Sequence, residues 1–169
     1  MRPPPATERF LEDLVSYEPS ERKYLKRFRR GVTGTETDTW ALTAFNLGED
    51  YYNILIGAGF VHEGPLCSAY TDGENFPGRI RMVDWITPDG PGGPVHHSAN
   101  TSVTSPPGGS GWTVNHLRAA VVAVGGPVTM YVVTRGFGHY FTTDLVEANN
   151  QVSSGRFLAG PFPVFTCWN

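Results

Sequence analysis

The chain has 169 residues, of which 40% are hydrophobic, 12% aromatic and only 17% charged, with a formal net charge of −3. The aromatic content excludes an intrinsically disordered chain, and 20 glycines with 14 prolines favour short strands and long loops over a helical bundle. No stretch approaches the roughly 18 apolar residues of a membrane span. The first residues lack the apolar core of a secretory signal, so we expect a cytosolic origin.

The basic residues are concentrated near the start of the chain. Residues 1–30 carry eight Arg or Lys against five Asp or Glu, whereas residues 31–169 carry five against eleven. Six cations fall within nine positions and are interleaved with apolar side chains. Such a segment either contacts nucleic acid or packs within the subunit and against its neighbours, and the acidity of the remaining chain favours packing. The candidate contact residues are Arg22, Lys23, Lys26, Arg27, Arg29 and Arg30.

Residues 1–34 are predicted to form an N-terminal arm with two short helices. Thr7 can cap the first, and Ser20 can cap the second. In the second helix one side is apolar and the other basic. The apolar side comprises Tyr24, Leu25 and Phe28.

Residues 35–169 are predicted to form an antiparallel sandwich, because short apolar runs alternate with turn residues and no long helix intervenes. A short helix is predicted at Gly48–Ile56. The segment Pro88–Gly111 is predicted to be a long loop, with His96 and His97 exposed to solvent. The predicted strands are Thr37–Phe45, Phe60–Thr71, Gly78–Thr87, Leu117–Val124, Val128–Thr134, Phe137–Thr143 and Arg156–Phe165.

Three of these strands have more specific predicted positions. Gly125-Gly126-Pro127 separates Leu117–Val124 from Val128–Thr134, and we interpret this pair as the most buried hairpin of the fold. The last strand contains Gly160-Pro161 and Pro163, which an edge or final strand tolerates and a central strand does not.

A search for chemistry-bearing motifs predicts no enzyme, no metal and no cofactor. Adjacent histidines on a strand point to opposite faces, so His96 and His97 do not make a simple metal site. Ser110 lies between glycines but lacks the spacing of a nucleophile elbow. No phosphate-binding glycine motif occurs, and the carboxylates of Asp84 and Asp89 are more typical of turn capping than of catalysis.

The two cysteines, Cys67 and Cys167, allow at most one disulfide bond, and their spacing does not indicate a metal or redox site. Because free cysteine is among the residues most often buried in protein cores, two free thiols are the favoured interpretation.

Four segments, in chain order, resemble capsid proteins of picorna-like viruses, especially the dicistrovirus and iflavirus groups. Arg22–Phe28 is similar to a recurring segment of basic and apolar residues. Tyr51–Tyr70 resembles a short aromatic-rich helix that enters a strand through glycine. Met82–Pro94 resembles a strand ending in a proline- and glycine-rich loop, and Ser153–Phe165 resembles the closing strand.

The resemblance implies a jelly-roll-like capsid subunit without catalytic residues, whose first strands are shortened, missing or supplied by another chain. Its partners would be copies of itself or sister capsid subunits, with genomic RNA a further candidate and no membrane insertion. It would belong to an icosahedral virion assembled in the host cytoplasm. Two other classes stay open: a carbohydrate-binding or phage-decoration sandwich with Trp40, Trp85 or Trp112 as an aromatic platform, and a cupin-type enzyme.

Overall fold

Nine strands and two helices make up the described part of the chain. The computed structural model describes residues 22–33, 35, 37–43, 50–71, 79–87, 96–102, 104–108, 110–123 and 126–169. The all-β expectation is therefore confirmed, whereas the helix predicted to begin at Thr7 lies outside the described residues. The helices are α1 (Asp50–Gly57) and α2 (Leu145–Ser153). The strands are β1 (Arg22–Arg30), β2 (Thr39–Thr43), β3 (Val61–Thr71), β4 (Arg79–Ile86), β5 (His97–Asn100), β6 (Thr113–Ala123), β7 (Val128–Arg135), β8 (Gly138–Thr142) and β9 (Ala159–Cys167).

The strands form a six-stranded sheet in the order β2-β1-β3-β6-β4-β5 and a three-stranded sheet in the order β8-β7-β9. All the strand pairs are antiparallel. The proline-containing strand β9 lies at the edge of its sheet, as its sequence predicted, because a proline nitrogen cannot donate to a neighbouring strand.

The two sheets pack against each other around a shared apolar core. The larger sheet contributes Leu25 and Met82, and the smaller sheet contributes Met130, Phe141 and Phe165. All five are buried, and alternate side chains of the facing strands supply this core. The described architecture is therefore a sandwich of two antiparallel sheets.

A disulfide bond joins the two sheets, so the interpretation of free thiols is wrong. Cys67 on β3 is bonded to Cys167 on β9, and both side chains are buried in the inter-sheet core. An antiparallel bridge between Ser68 and Trp168 brings the two strands together, with the cysteine Cα atoms 6.3 Å apart. Spacing in the sequence could not reveal this pairing, because the cysteines are 100 residues apart.

The helix predicted over the basic segment is wrong, because Arg22–Arg30 is a strand of the larger sheet. It pairs with both β2 and β3. Leu25 packs in the inter-sheet core, whereas Phe28 packs in a second cluster with Leu55 of α1. Residues three apart point to opposite faces of a strand. Both faces of β1 are covered, so Leu25 and Phe28 are both buried. Buried residues three apart are also the pattern of an amphipathic helix, and this is why a helix was predicted.

The predicted hairpin between Leu117–Val124 and Val128–Thr134 is also wrong. β6 pairs with β3 and β4, whereas β7 pairs with β8 and β9, so the chain crosses from one sheet to the other between them. Gly126 lies at this crossing, and a Cβ atom added there would collide with the Cys167 carbonyl. The glycine is therefore needed for the close approach to the end of β9 and not for a tight hairpin turn.

A strand interrupts the segment predicted to be a loop from Pro88 to Gly111. β5 pairs with β4 and contains His97, so this histidine is part of a sheet. The sequence His-Ser-Ala-Asn has no β-branched residue, and the pairing partner determines its structure. Helix α2 was likewise not predicted, although Asp144 caps it by accepting a hydrogen bond from the Glu147 amide at 3.1 Å.

Candidate functional site

The basic segment places its six candidate contact residues along β1. Only the backbone is described for the first two, which pair with Tyr70 and Ala69 on β3. Lys26 is partly buried. The side chains of Arg22 and Lys23 lie outside the described part of the structure.

Arg29 is held by a buried carboxylate. Its Nε and Nη2 atoms donate to Asp38 Oδ1 at 3.0 and 2.9 Å, and Nη2 also donates to Thr33 Oγ1 at 2.6 Å. Arg156, which precedes β9, donates to the other oxygen of Asp38 at 3.3 Å and lies 5.3 Å from the centre of the Trp40 ring. Asp38 is 4% exposed, so two guanidinium groups neutralise a carboxylate removed from water.

Arg27 and Arg30 also contact groups of their own subunit. Arg27 donates to Glu63 Oε1 at 2.9 Å and, through Nη1, to the Phe141 carbonyl at 2.6 Å. Arg30 donates to the Ala58 carbonyl at 2.8 Å and lies over the Phe60 ring. The described arginines of β1 therefore connect it to β2, β3, β8 and the end of α1. Contact of this segment with nucleic acid stays a prediction.

A polar network joins β8 to α2. Tyr140 donates a hydrogen bond to Glu147 Oε1, and Thr142 Oγ1 donates to Glu147 Oε2 at 2.8 Å. Burial raises the pKa of Tyr140, and the hydrogen bond to Glu147 raises it further. The guanidinium of Arg27 lies 4.3 Å from the centre of the Tyr140 ring. The network attaches α2 to the smaller sheet.

Three histidines are buried, so the expectation that the histidines of the 88–111 segment are solvated is wrong. His139 is 3% exposed, and His96 and His97 are each 8% exposed. His139 Nδ1 lies 2.8 Å from Ser98 Oγ. Burial and, to a smaller extent, the nearby His96 lower the pKa of His139 to about 4, although a hydrogen bond with the Gly136 backbone opposes the shift.

A second buried polar group contains Asp84 and His97. Asp84 Oδ2 accepts a hydrogen bond from Asn115 at 3.0 Å and lies 3.8 Å from His97 Nδ1. His97 belongs to a different pair from His139, so the serine, the histidine and the carboxylate do not form one relay. Among the described residues, no group of three or more His, Cys, Asp or Glu is placed to hold a metal ion.

The tryptophans proposed as an aromatic platform are buried. Trp40 is completely buried, and Trp85 and Trp112 are 4% and 8% exposed. Trp40 contacts Tyr140 and Phe157 in the core, while the indole nitrogen of Trp85 donates to Asn100 at 2.8 Å. A stacking platform needs an exposed ring face, so the structure does not provide the predicted platform at these three positions.

Exposed apolar residues occur in two parts of the described chain that the sequence analysis did not single out. One part is α1 with the start of β3, and the other is α2 with β9. The α1 surface consists of Ile54, Ile56 and Val61, which are 53%, 45% and 66% exposed. Ile54 and Ile56 lie on either side of the inward-facing Leu55 on α1, and Val61 is the first residue of β3. Further exposed apolar residues occur on α2, immediately before β9 and on β9, and these are Leu145, Val146, Leu158 and Phe162. The uncharged run Asn53–Val61 was the available signal for the first surface.

Comparison of the chain with family models, curated proteins and solved structures finds no match. Among the described residues, no helix has the length and apolar character needed to span a bilayer.

Proposed function

We propose that the chain is a structural capsid subunit with a jelly-roll-like sandwich. It assembles with copies of itself or with sister subunits into an icosahedral shell that encloses a genome. The resemblance of four segments to picorna-like capsid proteins supports this proposal, and the two-sheet sandwich is compatible with it. Its mechanism is packing between subunits.

The observation that carries the proposal is the α1 surface. A helix with apolar residues around most of its circumference is normally buried on all sides. In α1, Leu55 packs onto the larger sheet while Ile54 and Ile56 remain exposed. Exposed apolar side chains grouped in one segment are typical of surfaces that a partner covers.

The positions of the arginines support packing as the main role of the basic strand. Arg27, Arg29 and Arg30 each bind an oxygen atom of the same subunit. These contacts compete with binding to phosphate. We infer that the three residues stabilise the subunit, and that changing all three to alanine damages assembly more than it lowers the RNA content per particle.

The test is assembly of the purified full chain, measured by size-exclusion chromatography and negative-stain microscopy. We expect regular particles for the unmodified chain. The double variant Ile54→Lys with Ile56→Lys introduces two charges that would be desolvated at an interface. We expect it to raise the concentration needed for assembly at least about tenfold.

The matched control is Asn149→Lys with Ser153→Lys, which adds two lysines at exposed positions of α2. It should assemble like the unmodified chain. Equal loss of assembly in both variants would show an effect of charge alone and contradict the role of α1. An unmodified chain that stays monomeric at every concentration, alone and with co-expressed capsid subunits, would contradict the shell proposal itself.

A further inference from the structure

The loop before β6 covers the buried side chain of His139. This covering loop consists of residues 104–108 and 110–112. A Cβ atom built on Gly108 would lie 3.4 Å from Cε1 and 3.5 Å from Nε2 of His139, so the backbone of the loop lies against that edge of the imidazole. The Trp112 ring lies 5.0 Å from the His139 ring, measured between centres. The loop therefore separates His139 from solvent.

Among the described contacts, hydrogen bonds hold the start of the covering loop: the amides of Thr104 and Ser105 donate to Ser102 Oγ at 3.2 and 2.9 Å. Asn100 Nδ2 donates to the Ser105 carbonyl at 2.8 Å. The Phe137 ring contacts both Trp112 and His96, at centre distances of 5.6 and 6.1 Å. Most of the other described residues of the loop are exposed, and a segment with few buried contacts opens at a lower free energy than a core strand.

We propose that the covering loop is an acid-released flap, which stays closed while His139 is uncharged against Ser98 and opens when His139 takes up a proton. The added proton makes both nitrogens of the His139 ring hydrogen-bond donors. It also places a positive charge among Trp112, Gly108 and His96. Opening hydrates the charged ring, whereas the sheets on either side keep their pairing.

The ionisable groups on the elements around β8 do not supply a counter-charge to His139. Those groups include His96, His97, Asp84, Asp38, Arg135, Glu147 and Arg27, which is itself a cation and donates to the Phe141 carbonyl. Asp84 is bound to Asn115 beside His97, Asp38 to two arginines, and Glu147 to Tyr140 and Thr142. Arg135 is exposed and donates to the Gly155 carbonyl, and positive charge on His96 would further disfavour protonation of His139.

Protonation of His139 and opening of the flap are thermodynamically linked, so a change of pH changes the equilibrium constant for opening. The pKa of His139 is about 4 in the closed flap, against an ordinary value of 6.5 for a hydrated histidine. Acid therefore favours the open flap between these two values and has little effect above pH 6.5. For one such group, the equilibrium constant for opening rises roughly 20-fold from pH 7 to pH 5.

The test is hydrogen–deuterium exchange of the full chain at pH 7 and pH 5, corrected for the intrinsic exchange rate. We expect peptides covering residues 104–112 to lose about 20-fold in protection at pH 5 while β7 and β9 keep theirs. His139→Gln removes the titrating group and should abolish this pH dependence. His62→Gln, at an exposed histidine on β3, is the matched control and should retain it.

Equal protection of the loop at both pH values would overturn the proposal, and so would simultaneous loss of protection throughout the strands. Nuclear magnetic resonance titration of the histidine rings in the unmodified chain gives a second measurement that needs no variant. His139 should titrate below pH 5, and titration near pH 6.5 in the closed chain would contradict the flap. Neither measurement requires assembly, so the flap can fail or hold independently of the proposed capsid function.

Discussion

The buried carboxylate of Asp38 pairs with two arginines that lie at very different distances along the sequence. Arg29 is nine residues away, whereas Arg156 is 118 residues away. The three side chains connect β1, β2 and the start of β9 beside the Trp40 ring. Removing the carboxylate would leave two guanidinium groups close together without their acceptor, and an unpaired buried charge is costly.

We predict that Asp38→Ala lowers the free energy of unfolding by about 3 kcal/mol, measured by urea denaturation. Glu63→Ala is the matched control, because Glu63 also binds an arginine of β1 but its side chain is 29% exposed. Solvent screens that pair, and we expect a loss of at most about 1 kcal/mol. Similar losses for the two variants would show that burial of the Asp38 ion pairs does not increase their contribution to the free energy of unfolding.

At the scale of elements, β1 combines a strongly basic sequence with apolar packing on both of its faces. Its basic residues are interleaved with apolar residues that pack in two different cores. Phe28 packs with Ala41, Leu55 and Phe60, so it connects the strand to α1. Tyr24 lies on the same strand but is 60% exposed.

Truncating these two aromatic side chains should therefore have different effects. We predict that Phe28→Ala lowers the free energy of unfolding by about 3–5 kcal/mol, because it leaves a cavity beneath α1. Tyr24→Ala should cost at most about 1 kcal/mol in the monomeric chain. Thermal or urea unfolding followed by circular dichroism measures both changes. A small effect of Phe28→Ala would mean that α1 contributes little to the fold.

At the scale of the whole molecule, the disulfide connects the two sheets at the end of the chain. Cys67 belongs to the larger sheet and Cys167 to the closing strand of the smaller sheet. The bond closes a long loop, which limits the conformations of the unfolded chain. It also holds β9, an edge strand that contains two prolines, against β3.

We predict that a reductant lowers the free energy of unfolding of the oxidised chain by about 3–4 kcal/mol. The double variant Cys67→Ser with Cys167→Ser should be less stable than the oxidised chain by at least this amount. The reductant should not change the stability of the variant further. Equal stability of the oxidised chain and the variant would contradict a stabilising role for the bond.

Much of the secondary structure could be predicted because its signals are local. β2 lies within the predicted strand Thr37–Phe45, and α1 nearly coincides with the predicted helix Gly48–Ile56. Alternating apolar residues bounded by glycine and proline likewise located β3, β4, β7, β8 and β9. The capping pair Asp144 and Glu147 was a local signal for α2 that the sequence analysis missed.

By itself, then, the sequence determined the β-rich class, the short-range pattern of strands and the position of the basic segment. Only the tertiary structure decided that this segment is a strand, that β6 and β7 belong to different sheets, and that Cys67 meets Cys167. It also decided that His139 is buried against Ser98, 41 residues away in the sequence. The physical reason is that strand pairing and burial depend on contacts between distant residues, whereas the patterns in a sequence report only what neighbouring side chains prefer.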